Sequence, residues 1–149
     1  MSITPLALLA DYYDKILAQR DSASALQLWT ETTLLSFPGR NRFSGRHIGV
    51  GWVTDLYYPA IRKIADIRKE ALLSPLVADD EFGLSHYRER IVIRDTGEEL
   101  IMKRRALYGF VSGRIATVRV FDEESEAIDR FLNRFWSSES VGQDLGARS

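Results

Sequence analysis

The sequence predicts an α+β fold, with helices in the N-terminal half, an antiparallel β meander in the C-terminal half and a short C-terminal helix. Three observations carry this prediction. Apolar residues recur at three- and four-residue spacing over residues 4–20 and again over 52–64, the pattern of helices with one buried face. Four β-rich segments follow, divided by the turn-forming pairs Asp79-Asp80, Thr96-Gly97 and Ser112-Gly113. At 149 residues and 45% hydrophobic content, residues 1–149 read as one domain able to bury a core without metals or disulfides.

The stripe of the first helix is Leu6, Leu9, Ala10, Tyr13, Ile16 and Leu17, and Pro5 stands in its first turn, where a missing N–H costs little. A short second helix is expected over 22–29. A first strand follows over 32–37, β-branched and apolar until Pro38-Gly39 stops it. The polar loop 40–45 leads to a third helix whose stripe is Trp52, Val53, Leu56, Tyr57, Ala60, Ile61 and Ile64, and which Pro59 should kink or break. Strands are expected at 68–78, 82–94, 99–112 and 114–121. Asp122 is a candidate N-cap for the last helix, with Glu123 and Glu124 in its first turn and Ile128, Phe131, Leu132 and Phe135 on its buried face. The polar tail after Ser137 is expected to fray.

Composition removes several functions. Twenty basic and 21 acidic residues leave a formal charge of -1, so no whole-chain field favours nucleic acid or an anionic membrane. With no cysteine there is no disulfide, thiolate nucleophile or cysteine-based zinc site, and two histidines leave little for other metals. No glycine-rich phosphate loop or metal-ligand cluster points to a cofactor. No basic region precedes the first apolar stretch, and no apolar run approaches the roughly 20 residues that span a bilayer, so a soluble, cytoplasmic protein is expected.

Two-residue hairpins at Thr96-Gly97 and Ser112-Gly113 would set residue 94 opposite 99 and 110 opposite 115, and counting from there divides the sheet into two faces. One carries His86, Arg88, Val92, Ile101, Arg105, Leu107, Val118 and Val120. The other carries Tyr87, Glu89, Ile91, Met102, Arg104, Ala106, Thr117, Arg119 and Phe121, with Glu89 opposite Arg104 as a solvated or interface face would have it. The first face, mostly apolar, is expected beneath the helices, although a single bulge would invert the assignment. It clusters His86, Arg88 and Arg105, and an apolar cavity with a few convergent polar groups describes a small-molecule site. Alternatively, the arginines emerge at the rim and His86 bonds a backbone carbonyl.

The order of elements resembles the nuclear transport factor 2-like superfamily, which includes ketosteroid isomerases, scytalone dehydratase, limonene epoxide hydrolase and SnoaL-like polyketide cyclases. Phe37-Pro38-Gly39 and Phe43-Ser44-Gly45-Arg46-His47-Ile48 look like its proline–glycine loop and the Gly-x-x-x-Ile opening of its third helix. The stretch from Ser112-Gly113-Arg114-Ile115 to Arg119 looks like its Asp-Gly-Lys-Ile hairpin and final strand. The resemblance covers residues 6–122. It implies a cone-shaped, curved antiparallel sheet wrapped around three N-terminal helices, one small-molecule pocket, and a homodimer through the outer sheet face, to which Phe121, Met102 and Ile91 would be suited.

Carried over residue by residue, the resemblance implies a mixed picture. Tyr13 fills the oxyanion-holding tyrosine position of ketosteroid isomerases, but Phe37 stands where their aspartate base does, and phenylalanine cannot take a proton. SnoaL-like cyclases place a histidine and an aspartate on the final strand where this chain has Val118 and Val120. The Asp-Arg-Asp network of limonene epoxide hydrolase is not reproduced by Arg88, Arg105 and Glu31. His86 loosely resembles a pocket histidine of scytalone dehydratase, and with Tyr13 it is the candidate catalytic pair; a structural histidine is the alternative. Arg88 and Arg105 face each other in the counted register and need an anion between them, either Glu31 or a ligand carboxylate or enolate. Phe37, Trp52, Val118 and Val120 would line the pocket, and Trp29, Tyr57 and Tyr58 either line it or belong to the core. His47 reads as a surface or capping residue. The expected ligand is apolar and cyclic or polyketide-like, handled by an isomerase, cyclase or dehydratase, or held by a binding domain that has lost the family's acidic residues.

Overall fold

The computed structural model describes residues 3–137. Helix α1 (Pro5–Leu17) is capped by Thr4, whose hydroxyl accepts the Ala7 N–H at 3.1 Å, and it buries Leu8, Leu9, Tyr12 and Tyr13. Its chain reverses at Arg20, a non-glycine residue at φ 55°, and Asp21 then caps α2 (Ser22–Leu26) by accepting the Ser24 N–H at 3.0 Å. The second helix is thus shorter than expected, because Trp29 already belongs to β1 (Trp29–Phe37). The expected polar loop ends in β2 (Gly45–Ile48), which pairs with β1, and Gly49 follows at φ 93° to turn the chain back into a helix.

A π-helical segment (Trp52–Tyr57) runs into α3 (Tyr58–Arg62). Its wide i→i−5 ladder ends with the Tyr58 N–H on Val53 O, because the next residue, Pro59, has no N–H to carry it on. Strands β3 (Ala65–Leu72), β4 (Val77–Ala78), β5 (Phe82–Ile93), β6 (Glu99–Val111) and β7 (Arg114–Asp122) then precede α4 (Ser125–Phe135). Along the sheet the order is β2-β1-β7-β6-β5-β3, with β4 beside β5. The β1–β7 contact is parallel, so the curved sheet is mixed rather than antiparallel throughout. Helix α4 begins after Glu124 and not at Asp122, whose carboxylate is taken by Arg104. The tail after Ser137 lies outside the described residues.

Two turns decide which side chains face the helices. At the β5–β6 hairpin, Ile93 N–H bonds Glu98 O at 2.9 Å and Gly97 N–H bonds Ile93 O at 2.8 Å, so the loop is longer than two residues. Glu89 therefore pairs with Met102, two positions from the counted register. At the β6–β7 hairpin, Ser112 (φ 51°) and Gly113 (φ 75°) form the expected two-residue turn, and Phe110 lies opposite Ile115. A bulge follows at once, leaving Tyr108 opposite Val118 and Ala106 opposite Val120.

The bulge joins Val118 and Val120 to the face that carries Tyr87, Glu89, Ile91, Met102, Arg104 and Ala106, and this face lies under the helices. The expected assignment of β5 and β6 is inverted. Met102 and Ile91, expected outside, are each 1% exposed in the core and cannot serve an outer-face dimer; Phe121 does stand outside.

Candidate functional site

The buried face of the sheet carries a line of charge across four adjacent strands. Lys69 on β3 lies opposite Glu89 on β5, with Nζ 3.5 Å from the carboxylate. Arg104 on β6 donates from Nη1 to the other Glu89 oxygen at 3.0 Å and from Nε to Asp122 on β7 at 2.7 Å. The side chains of Glu89, Arg104 and Asp122 are only 3–4% exposed and that of Lys69 13%. Charges that deep are tolerated because each is paired, and the positive and negative groups alternate. Burial pushes the Glu89 carboxyl up, but Lys69 and Arg104 outweigh it and hold the group below the ordinary carboxylate range. Asp122 goes the other way: burial raises it and Arg104 only partly offsets the rise.

Tyrosines surround this line. Burial raises Tyr12, Tyr13, Tyr57, Tyr87 and Tyr108 above the ordinary phenol value, so all are neutral hydrogen-bond donors at neutral pH. The Tyr13 hydroxyl is 2.7 Å from Ser85 Oγ and 2.5 Å from the Tyr108 hydroxyl, a short relay from α1 to the sheet. The Arg104 guanidinium sits over the Phe37 ring and the Lys69 ammonium over that of Tyr87.

A cavity opens against these groups. Its outer chamber, about 190 Å³, lies between Tyr12, Leu26, Tyr58 and Lys69 and is rimmed by Arg20, Arg62 and Arg68. An inner chamber of about 40 Å³ shares Tyr12, Leu26, Tyr58, Lys69 and Glu89 with it and continues past Tyr108 to Trp29, Phe37, Val118 and Val120. The Trp29 indole N–H on this wall is buried beside the Tyr12 hydroxyl, just outside ideal hydrogen-bonding geometry. Among the described residues no group of three or more His, Asp or Glu side chains could hold a metal ion, and no helix is long and apolar enough to cross a membrane.

The residues singled out in the sequence separate into three places. Phe37, Val118 and Val120 line the inner chamber, and Trp52 stacks behind them on His47, ring centroids 3.6 Å apart. His47 is accordingly buried on β2, its Nε2 2.9 Å from Phe43 O, and is neither a surface nor a capping residue. Tyr13 is in the interior and lines neither chamber; it packs against Tyr12 and Tyr87, and its hydroxyl bonds that of Tyr108, all three of which line the cavity.

His86, Arg88 and Arg105 are on the opposite face of the sheet. His86 contacts Ser74 and Glu123, Arg105 pairs with Glu123, and Arg88 pairs with Glu70. Arg88 lies across from Lys103 rather than Arg105, and Glu31 is exposed on β1 and pairs with neither arginine. The structure does not bring His86 and Tyr13 together. The groups it does assemble, Lys69, Glu89, Arg104 and Tyr108, were legible in one respect: along β5, Tyr87, Glu89, Ile91 and Ile93 are the more apolar alternate set, against His86, Arg88 and Arg90.

A curved mixed sheet with its pocket between the sheet and three N-terminal helices is matched closely among solved structures. A nuclear transport factor 2-like protein of Burkholderia thailandensis superposes with a TM-score of 0.70 over 86% of this chain and 98% of that one, at 15% identity. The fold is nuclear transport factor 2-like. A Xanthomonas campestris protein of unknown function with a cystatin-like fold gives 0.68 at 18% identity, over 87% of this chain and 98% of that one. A candidate polyketide cyclase of Pseudomonas putida gives 0.64 at 16% identity, over 86% and 98%. No family model matches the sequence, and no curated protein matches it. At these identities the likeness establishes the architecture, and function rests on the site itself.

Proposed function

We propose that the cavity binds a small, largely apolar cyclic ligand and moves a proton on it without a cofactor, as an isomerase, cyclase or dehydratase would. The supporting observation is the placement of Lys69 and Glu89 where the two chambers meet, beside the neutral Tyr108 hydroxyl. In this reading the ionised Glu89 accepts the proton, and Lys69 and Arg104 balance its charge. Tyr108 donates to the ligand oxygen on which negative charge develops. Tyr13 and Ser85 act through Tyr108 by holding its hydroxyl in place, so Tyr13 is a positioning residue here.

One observation favours a second reading, a binding domain without turnover. Both Glu89 oxygens are already engaged, and a carboxylate held below its ordinary range is a weak base.

Ligand-observed NMR of cyclic ketones in D2O separates the two. The catalytic reading expects accelerated C–H to C–D exchange with the wild-type protein. Glu89→Gln and Tyr108→Phe should each slow exchange by roughly 100-fold or more while still binding. Binding without exchange leaves the second reading, and Val118→Trp, which fills the inner chamber, should abolish binding under either.

A homodimer through the outer sheet face is also proposed, supported by exposed Phe82, Leu84, Ile101 and Phe121. Light scattering should then give a dimer for the wild-type protein and a monomer for Ile101→Glu.

A further inference from the structure

Many cations of this protein meet a carboxylate. Across the outer sheet face Arg88 and Arg90 share Glu70, Arg90 also reaches Glu99, and Arg105 reaches Glu123, while Arg119 lies over the Phe121 ring. Inside, Arg104 is held by Glu89 and Asp122. Three cations without such a partner come together at the rim of the outer chamber. Arg20, Arg62 and Arg68 all line it, and among the described residues none of the three has a carboxylate within ion-pair distance. The acidic group lining this chamber, Glu89, is already committed to Lys69 and Arg104.

One of the three rim arginines is held in place by its surroundings. The Arg62 guanidinium lies 4.6 Å from the centroid of the Tyr58 ring, and Tyr58 lines both chambers. Arg20 occupies the left-handed region at φ 55°, a conformation that costs a non-glycine residue about 1 kcal/mol or more, which places it at the turn between α1 and α2. Asp21, its neighbour, does not neutralise it, because that carboxylate accepts the Ser24 N–H and hydroxyl at 3.0 and 2.6 Å. Uncompensated cations around a cavity that, past the mutually paired Lys69, Glu89 and Arg104, ends on Trp29, Leu35, Val118 and Val120 suit an amphipathic ligand with its charge outward.

Size sets the rest. A cavity of roughly 150 Å³ is enough to take up benzene, so adjoining chambers of about 190 and 40 Å³ have room for a single ring at their junction and a small substituent in the outer one. We propose that the ligand class is the monocyclic carboxylates: the carboxylate is held at the rim by Arg20 and Arg62, and the ring points past Lys69 toward Trp29 and Val118. This rests on the reading of the cavity as a ligand site.

The test compares benzoate with benzamide, equal in shape and different in charge, by titration calorimetry on the wild-type protein, Arg20→Gln/Arg62→Gln and Val118→Trp. The wild type should bind benzoate at least about tenfold more tightly than benzamide, and the rim variant should lose that preference while keeping its affinity for benzamide. The benzoate preference should also shrink as salt is raised. Equal binding of both probes by the wild type, or an unchanged preference in the rim variant, overturns the assignment of an anionic ligand and leaves the cavity reading standing. Binding that survives Val118→Trp, or binding of neither probe, removes the cavity reading and this proposal with it.

Discussion

Arg104→Met tests whether the buried line of charge holds the sheet together. The substitution keeps most of the side chain's volume but removes the guanidinium that bonds Glu89 at 3.0 Å and Asp122 at 2.7 Å. Glu89 would keep Lys69 at 3.5 Å, whereas Asp122, 3% exposed at its side chain, would lose the partner that offsets its burial. Breaking a buried pair by removing one member costs about 3–5 kcal/mol, a large part of the ~5–15 kcal/mol that stabilises an ordinary domain. With a urea m-value of about 2 kcal/mol/M, the unfolding midpoint should fall by about 2 M.

The loss should also depend on pH. Glu89 is lowered in the folded protein, so its contribution is present above the unfolded carboxylate value and is lost as pH falls through the folded one. Asp122 is raised, so its contribution is present below the unfolded value and is lost as pH rises through the folded one. Without Arg104 the Asp122 carboxyl moves higher still, and the variant's deficit should be largest near pH 7 and shrink toward about pH 4. Asp122→Asn in the variant background should recover part of the loss, because it removes the orphaned charge. A midpoint within about 0.3 M of the wild type, or a deficit identical at both pH values, would refute this account.

Three further outcomes are expected. Gly49→Ala places a Cβ 2.5 Å from the Glu31 carbonyl oxygen at a residue with φ 93°, so neither backbone can yield, and thermal denaturation should show a loss of about 2 kcal/mol or more. The Asp129 carboxylate on α4 accepts the Arg40 N–H at 3.0 Å and the Asn41 side-chain N–H at 2.7 Å; Asp129→Ala should cost about 1–2 kcal/mol in urea titration and raise hydrogen exchange at Arg40. His86→Ala should leave ligand affinity and proton exchange unchanged, since its ring contacts Ser74 and Glu123 on the far side of the sheet. A loss of exchange in that variant would return catalysis to the outer face.

The elements were legible because their signals are local. The stripe from Leu6 to Leu17 and the pair Ser112-Gly113 each act within a few residues, and both appear where the spacing puts them. The site was less legible because it depends on parity across two hairpins. The longer β5–β6 turn moves the register by two, which keeps side chains on their own face, whereas the bulge beside Gly109 moves it by one and swaps Val118 and Val120 from Leu107 and Arg105 to Tyr108 and Ala106. Nothing in the order of Ile115, Ala116 and Thr117 marks that bulge. Burial of Glu89 and Arg104 also runs against the usual placement of charge, and only the partners supplied by β3 and β7 make it tolerable. Lys69 shows the same limit: its head group turns inward because Glu89 lies directly across from it.

The parallel pairing of β1 with β7 has a consequence for how the chain comes to exist. During synthesis the segment with Trp29, Leu35 and Phe37 emerges roughly 80 residues before the strand it must dock against, where Leu35 meets Val118. A half-made chain has one apolar wall of the cavity and no opposite wall, and closing so long a loop is the slow, entropically costly part of assembly. The chamber is therefore finished with the last strand. A molecule that fits it has nothing to grip in the earlier ensemble, so it should lengthen the lifetime of the folded protein while leaving the rate of its formation almost untouched.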